Sequence, residues 1–180
     1  MKGMVFTEFL EMVEDRFGFE VADKIVENAT LDSKGVYSAV GTYDHQEMVN
    51  LVVELSKETQ VQVPDLLYVY GKHLFERFSE GYSVFFKNMQ GGAFGFLKGI
   101  DNYIHVEVRK LYPDAELPGF DISQPDDRTL EMVYSSERKL GDFALGLIDG
   151  CLQHFDESAS VARENIREDG SKVKFTITKA

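Results

Sequence analysis

The stretch Leu130-Glu131-Met132-Val133-Tyr134-Ser135-Ser136-Glu137-Arg138 decides the fold class. Leu130, Met132 and Tyr134 alternate with Glu131, Val133 and Ser135, the period of two expected of a strand with one buried face. Upstream of Pro113 the grammar is helical. Val5, Phe9, Met12 and Val13 recur at helical spacing over 3–17, and Gly18 supplies a stop. Further helices are expected over 21–29 and over 43–59, the latter with Met48, Leu51, Val52 and Leu55 on its buried face. Pro64 suits the first turn of a fourth helix that carries Leu67, Tyr70, Gly71, Leu74, Phe75 and Phe78 and ends near Gly81. A fifth, long helix opens at Gly91-Gly92 and ends at Tyr112, because Pro113 disfavours helical geometry in the residue before it; His105 falls near its C-terminal end. After the strand, 142–155 reads as another helix, and 159–167 with 172–178 reads as a hairpin about Asp169-Gly170. Helices first, then antiparallel strands with one helix inserted, make an α+β order.

Bulk properties narrow the functions. The 180 residues suit a single domain of two fused subdomains, with no repeat or linker to separate independent ones. With 31 acidic against 19 basic side chains, the net charge is -12 and the cations are scattered, so phosphate backbones would be repelled and nucleic acid is excluded as a partner. Cys151 is the only cysteine, which excludes an internal disulfide framework and a CxxC metal site. Acidic residues Glu8 and Glu11 interrupt the N-terminus before a signal peptide or membrane span can form, so a cytoplasmic protein with no membrane partner is expected.

Two features could carry chemistry. On a wheel of the fifth helix, His105 lines up with Phe94, Asp101, Val108 and Tyr112, on a partly apolar side. By itself this fits a core histidine with hydrogen-bonded ring nitrogens better than it fits a ligand. Tyr134, Ser136 and Arg138, at i, i+2 and i+4, would share one strand face as a row of two hydroxyls and a guanidinium. Such a row suits carboxylates, each charge-assisted bond contributing about 1.5–3 kcal/mol. It also fits a solvated strand end in which Arg138 pairs with Glu137 or Glu131.

The opening Met-Lys-Gly helix, Ile104-His105-Val106-Glu107-Val108-Arg109-Lys110-Leu111-Tyr112-Pro113 and Tyr134-Ser135-Ser136-Glu137-Arg138 occur in an order that resembles the H-NOX family, haem nitric oxide/oxygen-binding domains related to the haem domain of soluble guanylate cyclase. The resemblance runs through the chain, including Gly71 and Phe78-Ser79-Glu80. It implies a helical subdomain of about 1–62 packed on a subdomain of about 63–180 with a four-stranded antiparallel sheet, and haem b (iron protoporphyrin IX) buried between them. It further implies His105 as the proximal iron ligand, Tyr134, Ser136 and Arg138 on the propionates, Val5, Phe78 and Leu147 on the distal side, and Pro118 pressing on the haem. His45, His73 and His154 match no ligand position, and Cys151 alone cannot build the Cys-rich metal site of some relatives.

Relatives that hold oxygen stably carry a distal Tyr five residues after the motif Arg, where this chain has Phe143. Bound oxygen gains from a hydroxyl donor and bound nitric oxide loses little in an apolar pocket, so nitric oxide is the expected ligand, with carbon monoxide a further one. Tyr70 and Tyr82 are the other tyrosines that could turn toward the iron. The resemblance implies a switch and not an enzyme, acting on a histidine kinase or a cyclic-dinucleotide enzyme. The alternatives are a haem oxygen-binding or redox protein, for which no acid–base pair is evident, and a haem-free interaction module.

Overall fold

The computed structural model describes residues 1–81, 86 and 90–180. The chain divides into two compact units, Met1–Tyr70 and Gly71–Ala180, with the division inside the fourth helix.

The first unit holds α1 (Gly3–Phe17), α2 (Phe19–Asn28), α3 (His45–Thr59) and the first turns of α4 (Val63–Gly81). Its core is Phe6, Phe9, Met12, Val13, Ile25, Met48, Leu51 and Leu55, all essentially without solvent contact. Gly18 takes φ 90°, a conformation that stops α1 and lets α2 begin at the next residue. Asp44 caps α3, its Oδ1 accepting from Gln46 N at 2.8 Å, so the helix starts at His45 and not at Tyr43 as the periodicity suggested. The loop before α3 is held by the buried Glu47 carboxylate, which accepts from Ser33 N at 3.2 Å, Ser33 Oγ at 2.5 Å and the Tyr37 hydroxyl at 2.7 Å. Burial and the adjoining Glu47 push the Tyr37 phenol well above its usual range, so it remains a donor.

The second unit continues α4 and adds α5 (Gly92–Lys98), a π-helical turn (Ile100–Ile104), α6 (His105–Leu111), β1 (Gly119–Asp126), β2 (Thr129–Ser135), α7 (Gly141–His154), β3 (Ala159–Asn165) and β4 (Lys172–Lys179). The strands form one antiparallel sheet in the order β1-β2-β4-β3. The architecture is therefore α+β, as the change of period after Pro118 required. Leu130, Met132 and Tyr134 of β2 and Val173, Phe175 and Ile177 of β4 face inward, against Ala144, Ile148, Cys151 and Leu152 of α7 and Phe94, Phe96 and Leu97 of α5. Asp169-Gly170 makes the β3–β4 turn, with Gly170 at φ 76°. Near α5, Glu157 Oε1 accepts from Ala93 N at 2.8 Å and so satisfies a donor of that helix's first turn.

One expectation is corrected and one strand was not foreseen. The fifth helix is not one straight run, because the π-helical turn inserts directly before His105, which thus opens α6 instead of lying near the end of a long helix. β1 was not legible, since only Phe120 and Ile122 alternate before Gln124-Pro125-Asp126. It is an edge strand with a register shift between Ser123 and Asp126, the setting in which a strand tolerates proline.

Candidate functional site

His105 is 8% exposed, and its ring makes one strong polar contact, Nδ1 to Asp101 Oδ1 at 2.7 Å. The two residues lie four apart, so the helical backbone brings them to one side. The second carboxylate oxygen of Asp101 accepts the backbone N–H of Phe120 at 3.0 Å, joining the π-helical turn to the start of β1. Burial lowers the His105 pKa, with Asp101 opposing that shift, so the ring is neutral near pH 7. A carboxylate acceptor at Nδ1 selects the tautomer with its proton there and leaves Nε2 as a lone pair, the state a histidine needs to ligate iron.

Tyr134, Ser136 and Arg138 come together, though not as a row on a strand. β2 ends at Ser135; Tyr134 is its last inward residue, and Ser136 and Arg138 belong to the turn that follows. The buried Tyr134 hydroxyl accepts from Leu140 N at 3.2 Å, and Ser136 Oγ accepts from Arg138 N at 3.2 Å. Burial raises the Tyr134 phenol, opposed by the Ser136 hydroxyl, the Leu140 N–H and the Arg138 charge. Arg138, its side chain only 17% exposed, binds neither Glu137 nor Glu131. Its Nη2 lies 3.1 Å from Oε2 of Glu116, a side chain 88% exposed. Glu131 pairs instead with Lys174 at 2.6 Å. A mostly buried guanidinium that already holds a carboxylate at its rim has the chemistry to hold a propionate.

The remaining expected residues are apolar and half-buried. Phe143 and Leu147 stand one turn apart on α7, Phe78 is on α4, and Pro118 precedes β1; all belong to the second unit. Gly71 permits close approach of the α4 and α7 backbones, because a Cβ there would collide with the Phe143 carbonyl oxygen and lie 2.9 Å from Leu147 N. Val5 belongs to the first unit, where its carbonyl accepts the Tyr70 hydroxyl. Tyr70 is fully engaged in that core and would have to break this bond to turn elsewhere; Tyr82 lies outside the described residues.

Three site residues escaped the sequence reading. Asp101 was placed in line with His105 without a role, although a carboxylate one turn from a histidine is itself a signal. Phe120 lies between the two halves of the site, its ring 6.1 Å from His105 and 5.8 Å from Tyr134, its partner across the strands. Glu116 comes from an irregular segment, and no local pattern marks it as the partner of Arg138.

The residues therefore fit haem: a neutral histidine with a free ring nitrogen, and a hydroxyl and guanidinium cluster suited to carboxylates. The profile of the family described as Haem-NO-binding matches residues 2–163. The chain is similar, at 45% identity, to a single-residue variant of the Fe(II) unliganded H-NOX protein from K. algicida, covering 100% of this chain and 97% of that one with a TM-score of 0.95. It is 42% identical to the H-NOX from Shewanella woodyi, solved with IWP-051 in the Fe(II)CO state, over 100% of this chain and 95% of that one, TM-score 0.85. An H-NOX protein from S. oneidensis in the Fe(II)NO state shares the fold at 24% identity, over 100% of this chain and 99% of that one, TM-score 0.90. With nine-tenths of its length inside the family profile and the site chemistry to match, this chain belongs to the H-NOX family of haem-binding gas-sensor domains.

Proposed function

We propose that the chain is a cytoplasmic nitric oxide sensor that holds b-type haem through His105 and reports ligand binding to a separate signalling protein. The observation that carries this reading is the buried His105 with its Nδ1 2.7 Å from Asp101 Oδ1, an arrangement that leaves Nε2 to act as a ligand. Haem supplies the iron at which a diatomic gas binds, and the protein supplies one releasable nitrogen ligand. Tyr134, Ser136 and Arg138 would hold the propionates in the place that Glu116 takes on Arg138, and Pro118 would bear on the macrocycle. Haem is held without a covalent link, because thioether attachment uses a cysteine pair and the chain has only the buried Cys151.

The distal residues of the second unit in this reading, Phe78, Phe143 and Leu147, carry no side-chain hydrogen-bond donor or acid–base group. Bound oxygen would lack a donor while nitric oxide would need none, so nitric oxide is favoured, and the protein is a switch and not a catalyst. Carbon monoxide, the ligand in the Shewanella woodyi relative, is a second expected ligand. Release of His105 would free α6 to move, and a histidine kinase or cyclic-dinucleotide enzyme that binds the two states unequally would receive the signal.

The test is the absorption spectrum of the ferrous protein in air and under nitric oxide, with His105→Gly beside it. The unaltered protein is expected to remain unliganded in air and to change only with nitric oxide. His105→Gly is expected to lose haem unless imidazole is supplied; full haem content with an unchanged spectrum would sink the assignment.

A further inference from the structure

We propose that Asp101 is the positioning residue for the iron ligand, setting the donor strength of His105 and coupling its movement to β1. The inference rests on the reading of His105 as ligand and deepens it. Its basis is a two-handed contact: Oδ1 lies 2.7 Å from His105 Nδ1, and Oδ2 accepts Phe120 N–H at 3.0 Å.

The first hand acts on the bond. A carboxylate accepting at 2.7 Å from Nδ1 draws that proton toward itself and leaves more electron density on Nε2. The imidazole becomes a stronger donor, and its ring plane is held against rotation. Loss of such an outer partner commonly costs about 10–100-fold in metal affinity. Asp101 thus opposes release of His105, and the ligand must overcome that opposition.

The second hand acts on what release does. Asp101 lies in the π-helical turn and Phe120 in β1, so the carboxylate is a direct link from the ligand-bearing helix to the sheet. Phe120 pairs with Tyr134 across the strands and contacts both the Tyr134 and His105 rings. A shift of the helix that keeps both carboxylate bonds must carry the start of β1 with it. A single side chain therefore connects the ligand bond, the helix and the strand next to the propionate cluster.

The experiment uses the full chain loaded with haem, comparing Asp101→Asn and Asp101→Glu with Asn102→Ala at the exposed neighbouring position. Asn offers one acceptor oxygen where two donors compete, whereas Glu keeps both oxygens. Asp101→Asn is expected to lower the ferrous iron–histidine stretching frequency in resonance Raman spectra. It should also speed haem loss to a scavenger protein by about tenfold or more and raise the fraction of molecules whose iron–histidine band disappears under nitric oxide. Asp101→Glu should restore much of each property. Equality of Asp101→Asn and Asn102→Ala in all three overturns the Asp101 inference alone. Absence of an iron–histidine band in the unaltered protein overturns the ligand reading itself. A measurement without any variant poses the same question: in the carbon monoxide form, the His105 Nδ1 proton should be visible by NMR, far downfield and protected from exchange. A rapidly exchanging proton at that nitrogen would also overturn the inference.

Discussion

Tyr134 shows how one atom can serve structure and site together. Its hydroxyl accepts the buried Leu140 N–H at 3.2 Å while lying among the proposed propionate donors. Tyr134→Phe should destabilise the haem-free protein by about 1–3 kcal/mol, measured by chemical denaturation, because it leaves a buried donor unpaired. An unchanged midpoint would mean that Leu140 N–H finds another acceptor. Asp169, at the β3–β4 turn, illustrates an exposed group under local control. Hydrogen bonds from Ser171 Oγ and N, with Lys139 nearby, lower its pKa to about 2, below the usual value of about 3.9. A carboxyl depressed in the folded state adds stability that is present above the unfolded value and is lost as pH falls through the folded one. Its 13C resonance should accordingly titrate near pH 2, with the Ser171 amide following the same midpoint. A midpoint in the ordinary carboxylate range would show that the turn does not hold these bonds in solution.

Among the elements, the α4–α7 contact leaves no room for a side chain at Gly71. The missing side chain at Gly71 leaves room for the Phe143 carbonyl oxygen, and backbone atoms cannot swing aside as a flexible side chain can. Gly71→Ala should destabilise the fold by about 1–3 kcal/mol through overpacking, less the roughly 1 kcal/mol that alanine gains in a helix. Denaturation should show a net loss; a more stable variant would show that the two helices part without cost. The same substitution should disturb Phe143 and Leu147, since both belong to the displaced stretch of α7. The π-helical turn before His105 is the second element of consequence. It interrupts the α-helical register directly before the proposed ligand.

For the whole molecule, haem is expected to act as part of the core. A ligand that binds only the folded state at a free concentration a thousandfold above its Kd adds about 4 kcal/mol. In a chain of this size that corresponds to a rise in Tm of roughly 10 °C, which thermal melts of loaded and haem-free protein would reveal. Equal melting temperatures would contradict tight binding to the native fold. The net charge of -12 leaves a partner with a basic face as the electrostatically favoured one.

By itself the sequence determined the helices of the N-terminal part, the alternation of β2, the hairpin about Asp169-Gly170, and the residue types able to hold iron and carboxylates. These are local properties, written in periods of 3.6 and 2 and in the chemistry of single side chains. Helix starts moved where a cap or glycine outweighed periodicity, as at Asp44 and Gly18. Only the tertiary structure decided that Asp101 grips both His105 and Phe120, that Arg138 takes Glu116 and not its neighbours, and that β1 completes the sheet. The Asp101–Phe120 and Arg138–Glu116 contacts join residues distant in sequence, so those partners are chosen by how helix, turn and strand pack, whereas β1 pairs with the adjacent β2 but is obscured by its weak alternation and Pro125. The choice of distant partners leaves no mark in a local pattern.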